Sequence, residues 1–120
     1  MTVAVCERNK ADAQHLRVCI EEYCTLYQVP LALACFSTPE ALFQRLPFDV
    51  VFLGLGGSTG FLAARALRDR DRLCRIILID DTPVYTVQSL RIHCTDFILR
   101  PVQFSRVVQS LRLAAGQGEP

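Results

Sequence analysis

Several groups of residues in this chain could do chemistry. Asp80 and Asp81 stand side by side, a pairing that suits general acid–base work. Glu7 adjoins Arg8, and Arg100 precedes Pro101, so acids and bases would meet if the fold brought their segments together. The segment Gly54-Leu55-Gly56-Gly57-Ser58-Thr59-Gly60 is rich in the residue that lets backbone amides approach a phosphate where a strand leads into a helix. Six cysteines, at 6, 19, 24, 35, 74 and 94, and two histidines, His15 and His93, complete the set of nucleophiles and metal ligands.

Most of this chemistry lacks a second half. No C-x-x-C pair occurs and the histidines join no clustered ligand set, so no metal site is expected. The cysteines lie mostly inside apolar runs and read as reduced, buried hydrophobes in a reducing compartment, which points to the cytoplasm. The glycine segment lacks the Gly-Lys-Ser/Thr of a P-loop, and Thr59 stands where the third glycine of G-x-G-x-x-G belongs. It reads as a tight turn, with a sensor site for a small anion or nucleotide as the alternative. Helix capping by Asp81 or Thr82 accounts for one of the paired acids, and no nucleophile–base pair lies nearby. No enzymatic activity and no cofactor are expected. His93 falls near the end of a helix, and His15 on an exposed, inert helix position.

The chain of 120 residues is long enough for one domain with its own core. A hydrophobic fraction of 51% with 21% charged residues excludes disorder as the main state. No apolar run reaches the roughly 18 residues of a membrane span. No basic region followed by a long apolar stretch marks a secretion signal. A net charge of +1 gives no global case for nucleic-acid binding. Residues 65–75 gather five arginines against two aspartates, which reads as a solvated helix end.

Apolar patterning alternates between two periods. Thr2–Cys6, Leu31–Phe36, Asp49–Leu55, Arg75–Ile79 and Asp96–Leu99 read as strands, the third as a central strand covered on both faces. Asn9 caps a helix whose stripe is Ala13, Leu16, Ile20, Tyr23 and Tyr27, ended by Pro30. Ser37-Thr38-Pro39-Glu40 is a capping box opening a helix over Glu40–Leu46. Further helices are predicted over Phe61–Arg70, from Thr82-Pro83 to His93, and along the stripe Phe104, Val107, Val108 and Leu111. Five strands alternating with five helices imply an α/β fold: a doubly wound, five-stranded parallel sheet in the order 2-1-3-4-5. The domain is expected over residues 1–115, with 116–120 a tail or the start of a linker.

With these elements placed, the sequence resembles the receiver domain of two-component response regulators over residues 2–115. The likeness is greatest to receivers that precede LytTR-type DNA-binding domains, whose motifs are echoed by VAVCERN, EEYC and FSTPEAL. Phe97-Ile98-Leu99-Arg100-Pro101 resembles the aromatic-x-x-Lys-Pro signature of the fifth strand. The resemblance implies a flavodoxin-like receiver fold with phosphorylation at the end of the third strand.

The departures from that pattern carry the functional expectation. Gly54 occupies the position of the phosphoacceptor aspartate, and Glu7-Arg8 the positions of two Mg²⁺-holding acids. Asp80 matches the Thr or Ser that bonds the phosphoryl oxygens, and Arg100 the lysine. The resemblance therefore implies a degenerate phosphoacceptor pocket of Glu7, Arg8, Gly54, Asp80, Arg100 and Pro101, with no metal. Glu7, Asp80 and Asp81 are expected to pair with Arg8 and Arg100 instead. The Arg100–Pro101 bond is expected to be cis, and Phe97 to be a switch-like aromatic. The implied partner is another protein or an attached output domain, of LytTR DNA-binding type, with no direct nucleic-acid binding and no membrane contact. The face carrying Arg91, Asp96, Arg106 and Arg112, with more bases than acids, is expected to make the family's homodimer weak or absent.

Overall fold

A computed structural model describes residues 1–116. The elements run β1 (Thr2–Glu7), α1 (Lys10–Leu26), β2 (Ala32–Phe36), α2 (Pro39–Phe43), β3 (Val50–Gly54), α3 (Gly57–Arg70), β4 (Arg75–Asp80), α4 (Thr86–Arg91), β5 (Asp96–Leu99) and α5 (Phe104–Ala114). All neighbouring strands are parallel, in the order β2-β1-β3-β4-β5, as the alternating pattern predicted. Beyond Gly116, the expected tail or linker lies outside the described residues.

The sheet separates two apolar clusters. On one side Leu16, Ile20 and Tyr23 of α1 and Val107 and Leu111 of α5 pack on Val3, Val5, Phe52 and Ile77. On the other, Leu42 of α2 and Ala64 and Leu67 of α3 pack on Ala4, Val51, Leu53 and Leu78. β3 and the last five residues of β4 are buried throughout, which is why those runs carry no polar alternation. Among the described residues, no helix is long and apolar enough to cross a membrane.

Five of the cysteines are buried; Cys35, on the edge strand β2, is exposed and departs from the expectation. Burial pushes the thiols of Cys6 and Cys94 up to about 12 and that of Cys74 up to about 11. They stay protonated and behave as small apolar groups.

Several helix boundaries differ from the sequence reading, each for a local reason. α1 ends because Gln28 turns into the left-handed region (φ 56), two residues before Pro30. At α2 the cap is Thr38, whose hydroxyl accepts from Ala41 N–H at 3.2 Å, and the helix stops at Phe43. α4 begins only at Thr86, where Pro83 O accepts from both the backbone and the hydroxyl of Thr86, and His93 (φ 61) lies beyond its end. The largest change is at α3, which starts at Gly57 rather than Phe61. Residues 57–60 are its first turn, with Gly56 (φ 84) at the entry.

Candidate functional site

The carboxyl ends of the strands bring the chemically capable residues together. Glu7 closes β1, Gly54 closes β3, Asp80 closes β4, and Arg100 directly follows β5. Parallel register sets Glu7 beside Gly54. A Cβ added to Gly54 would lie 2.5 Å from Glu7 Oε1 and closer still to Oε2 and Cδ. The Glu7 carboxylate thus occupies the space in which any side chain at position 54 would begin.

Arg100 holds this arrangement. Its Nη2 donates to Glu7 Oε1 at 2.8 Å and to Gly54 O at 2.6 Å. The pair is shielded: side-chain exposure is 10% for Arg100 and 2% for Glu7. Nη1 is buried without a hydrogen-bond partner among the described residues, 3.6 Å from Asp81 Oδ1. The Arg100–Pro101 peptide bond is cis, as is Leu46–Pro47.

An exposed layer covers this buried pair. Arg8 Nη1 donates to Asp81 Oδ2 at 2.5 Å and Arg8 Nε to Asp12 Oδ2 at 3.0 Å. Asn9 caps α1 by accepting from Asp12 N–H at 2.8 Å and donates through Nδ2 to the Asp12 carboxylate at 3.0 Å, which lies 3.8 Å from Arg100 Nε. Sequence reasoning left Asp12 as a first-turn acid; its place four residues after Arg8 was the available signal.

Asp80 does not join the ion pairs, contrary to expectation. Its carboxylate turns towards the start of α3, accepting from Gly57 N–H at 3.1 Å and from Asp81 N–H at 2.7 Å. A carboxylate from another strand thereby caps α3, which explains why that helix begins at Gly57. It also takes the Gly57 amide that an anion bound to the glycine segment would use. His15 is likewise engaged: its Nε2 donates to Val102 O at 2.6 Å, tying α1 to the segment after β5. Beside these groups is an open cleft of about 420 Å³, lined by Arg8, Asp12, His15, Asp81 and Arg100 among others.

Burial raises the Glu7 carboxyl above its ordinary value of 4.5; Arg100 and the Arg8 backbone N–H pull the other way without offsetting it. Asp12 is held below its ordinary 3.8, chiefly by its hydrogen bond from Arg8. The two acids act oppositely on stability. Glu7 binds its proton more tightly folded than unfolded, so its contribution is full below 4.5 and declines as pH rises through the raised value. Asp12's contribution is present above 3.8 and declines as pH falls through the lowered value. Glu7→Gln is therefore expected to flatten the fall in stability from mildly acidic to neutral pH while leaving the acid limb in place. Urea midpoints across that range measure it, and an unchanged profile would refute the assignment to Glu7.

The expected interaction face is only partly exposed charge. Arg106 Nη2 lies 3.3 Å from Asp96 Oδ2 and 2.9 Å from Phe97 O, and Ser110 Oγ donates to Asp96 Oδ2 at 2.6 Å. Arg112 reaches the residue that follows α1 instead, its guanidinium over the Tyr27 ring and bonded to the Tyr27 hydroxyl. Arg91 alone of the three bases is exposed without such a partner among the described residues. Arg106 is thus paired with the one acid of this face, Asp96, while Arg91 and Arg112 meet no carboxylate among the described residues. Val84 in the loop before α4, Val87 and Leu90 on α4 and Leu99 on β5 are also exposed. Phe97 is half-buried against the α3-side core.

Solved structures with this architecture are response-regulator receivers. No family model and no curated protein matches the sequence. The response regulatory domain of protein MrkE from Klebsiella pneumoniae superposes with a TM-score of 0.80 at 20% identity, covering 97% of this chain and 96% of that one. The REC domain of AraT, a response regulator from Geobacillus stearothermophilus, gives 0.73 at 19%, covering 96% and 93%. A DNA-binding response regulator of the LuxR family from Staphylococcus aureus gives 0.75 at 15%, covering 94% and 97%. At these identities the likeness is one of fold: this chain has the flavodoxin-like receiver fold.

Proposed function

We infer that the chain is a signalling module of the receiver type that works without phosphorylation, through contacts with another protein or an attached output domain. The observation that carries this reading is the Glu7 carboxylate: it fills the place of a side chain at Gly54 and pairs there with Arg100. A receiver needs a carboxylate on β3 as nucleophile, acids at the end of β1 for Mg²⁺, and a hydroxyl at the end of β4. Gly54 supplies no nucleophile, Glu7 and Arg8 are committed to ion pairs, and Asp80 is committed to backbone amides. Carboxylates of the chain itself engage the cation and amides at the strand ends, so the module takes no catalytic step. The motifs VAVCERN, EEYC and FSTPEAL favour a receiver of the LytTR-associated kind. Buried, protonated thiols suit a reducing cytoplasm.

Incubation with Mg²⁺ and either acetyl phosphate or beryllofluoride tests this. The intact mass and the amide NMR spectrum are expected to stay unchanged. A phosphoryl-mass adduct stable in acid and labile in base, or stoichiometric beryllofluoride binding, would overturn the reading.

A further inference from the structure

The arginine-rich run at 65–75 is more than a solvated helix end. Arg70 lies 4.4 Å over the Phe43 ring and donates to Ala66 O. Arg68 turns inward: Nε donates to Ile92 O, Nη1 to Asp71 O and Cys74 O, and Nη2 to His93 O, at 2.8–3.1 Å. It thus clamps the α3–β4 connection to the turn after α4, with no carboxylate partner among the described residues. Arg72 and Arg75 are exposed, and neither is in a side-chain hydrogen bond or ion pair among the described residues. These three arginines, with Leu73, Cys74 and His93, line a hollow of about 190 Å³.

No acid lines this hollow. Asp71, the nearest in sequence, turns its Oδ1 to the backbone N–H groups of Leu73 and Cys74. Three arginines therefore line one small space that no acid lines, and two of them, Arg72 and Arg75, are exposed with no ion-pair partner among the described residues. Beside them, Leu73 is 87% exposed, more than any other large apolar side chain among the described residues. Permanent positive charge next to a projecting leucine matches a ligand that is both anionic and apolar.

We propose that this hollow is a docking site for an acidic segment of a partner protein, with a carboxylate side chain entering between Arg72 and Arg75 and a neighbouring apolar residue covering Leu73. A bare phosphate would make no use of Leu73. A nucleic-acid strand would need a longer track of bases than this hollow offers, on a chain whose net charge is only +1. The clamp made by Arg68 fixes both walls before any ligand arrives, which lowers the ordering cost of binding. The site lies at the start of β4, at the opposite end of the strands from Glu7 and Arg100, so it stands independently of the reading given to that cluster.

Fluorescence anisotropy with the whole 120-residue chain tests the proposal. The probes are a dye-labelled peptide of alternating glutamate and leucine, its lysine–leucine counterpart, inorganic phosphate as competitor, and a single-stranded oligonucleotide. The glutamate–leucine peptide is expected to bind, the lysine peptide not to, and affinity to fall on the order of tenfold from low to moderate salt. Arg72→Glu with Arg75→Glu should abolish binding while leaving the thermal midpoint in place, since both side chains are exposed. Leu73→Ser should weaken binding about three- to tenfold without changing the salt slope. Failure of the acidic peptide to bind at low salt, or binding indifferent to the Arg72 and Arg75 changes, would overturn the proposal. So would tighter binding of the oligonucleotide, or displacement by phosphate at the peptide's own concentration.

Discussion

Gly54→Asp is expected to destabilise the fold by about 2–4 kcal/mol, and Glu7→Ala added to it is expected to recover most of that loss. The new side chain would begin inside the Glu7 carboxyl group. Glu7 would have to leave Arg100, or the two strands would have to part. Glu7→Ala alone is expected to cost about 3 kcal/mol, because it leaves the Arg100 guanidinium largely buried and without its acid. In the double variant the carboxylate on β3 takes over that partner in the vacated space. Urea midpoints of the four proteins close a double-mutant cycle, and a coupling of about 2 kcal/mol or more in favour of the pair is expected. Simple additivity would show that the two positions do not compete for one space. Gly54→Asp alone is not expected to confer phosphorylation, since Arg8 and Asp80 remain where they are.

Arg68→Ala is expected to cost about 3 kcal/mol, and Arg68→Lys nearly as much. Four carbonyl oxygens on two separate connections converge on one planar guanidinium. A lysine ammonium carries its donors at one point and cannot span them. The loss leaves backbone acceptors around Cys74 and Ile92 short of partners in a partly buried setting. A drop in thermal midpoint on the order of 10 °C or more is expected for both variants. A lysine variant as stable as the parent chain would show that Arg68 contributes charge rather than geometry.

The order of the sheet was legible because every strand is a short apolar run and the helices between them carry a three- and four-residue stripe. Leu16, Ile20 and Tyr23, or Val107 and Leu111, declare their buried face without help from elsewhere. Contacts between distant segments decided the rest. The start of α3 is set by Asp80, more than twenty positions downstream, and nothing in residues 54–60 announces it. Asp80 and Asp81 are adjacent in sequence yet do opposite work, one bonding amides and the other an arginine. The meeting of Glu7 with Arg100 followed from the strand order once the sheet was assumed. The crowding of Gly54 by Glu7 did not, because it depends on register and rotamer. The pairing of Arg106 with Asp96 and the seat of Arg112 on the Tyr27 ring likewise depend on how α5 packs, which its own residues do not declare.

The position of Asp80 also bears on how this end of the molecule moves. Its carboxylate binds the first turn of α3 and the start of the β4–α4 loop at once, while Arg8 joins that loop to α1. Arg100 links β1, β3 and the segment after β5. Four connections that would otherwise fluctuate separately thus share their anchors, and opening one means loosening its neighbours. Their excursions are accordingly those of a single cooperative unit. A protein that grips any one of these loops would damp the motion of all four.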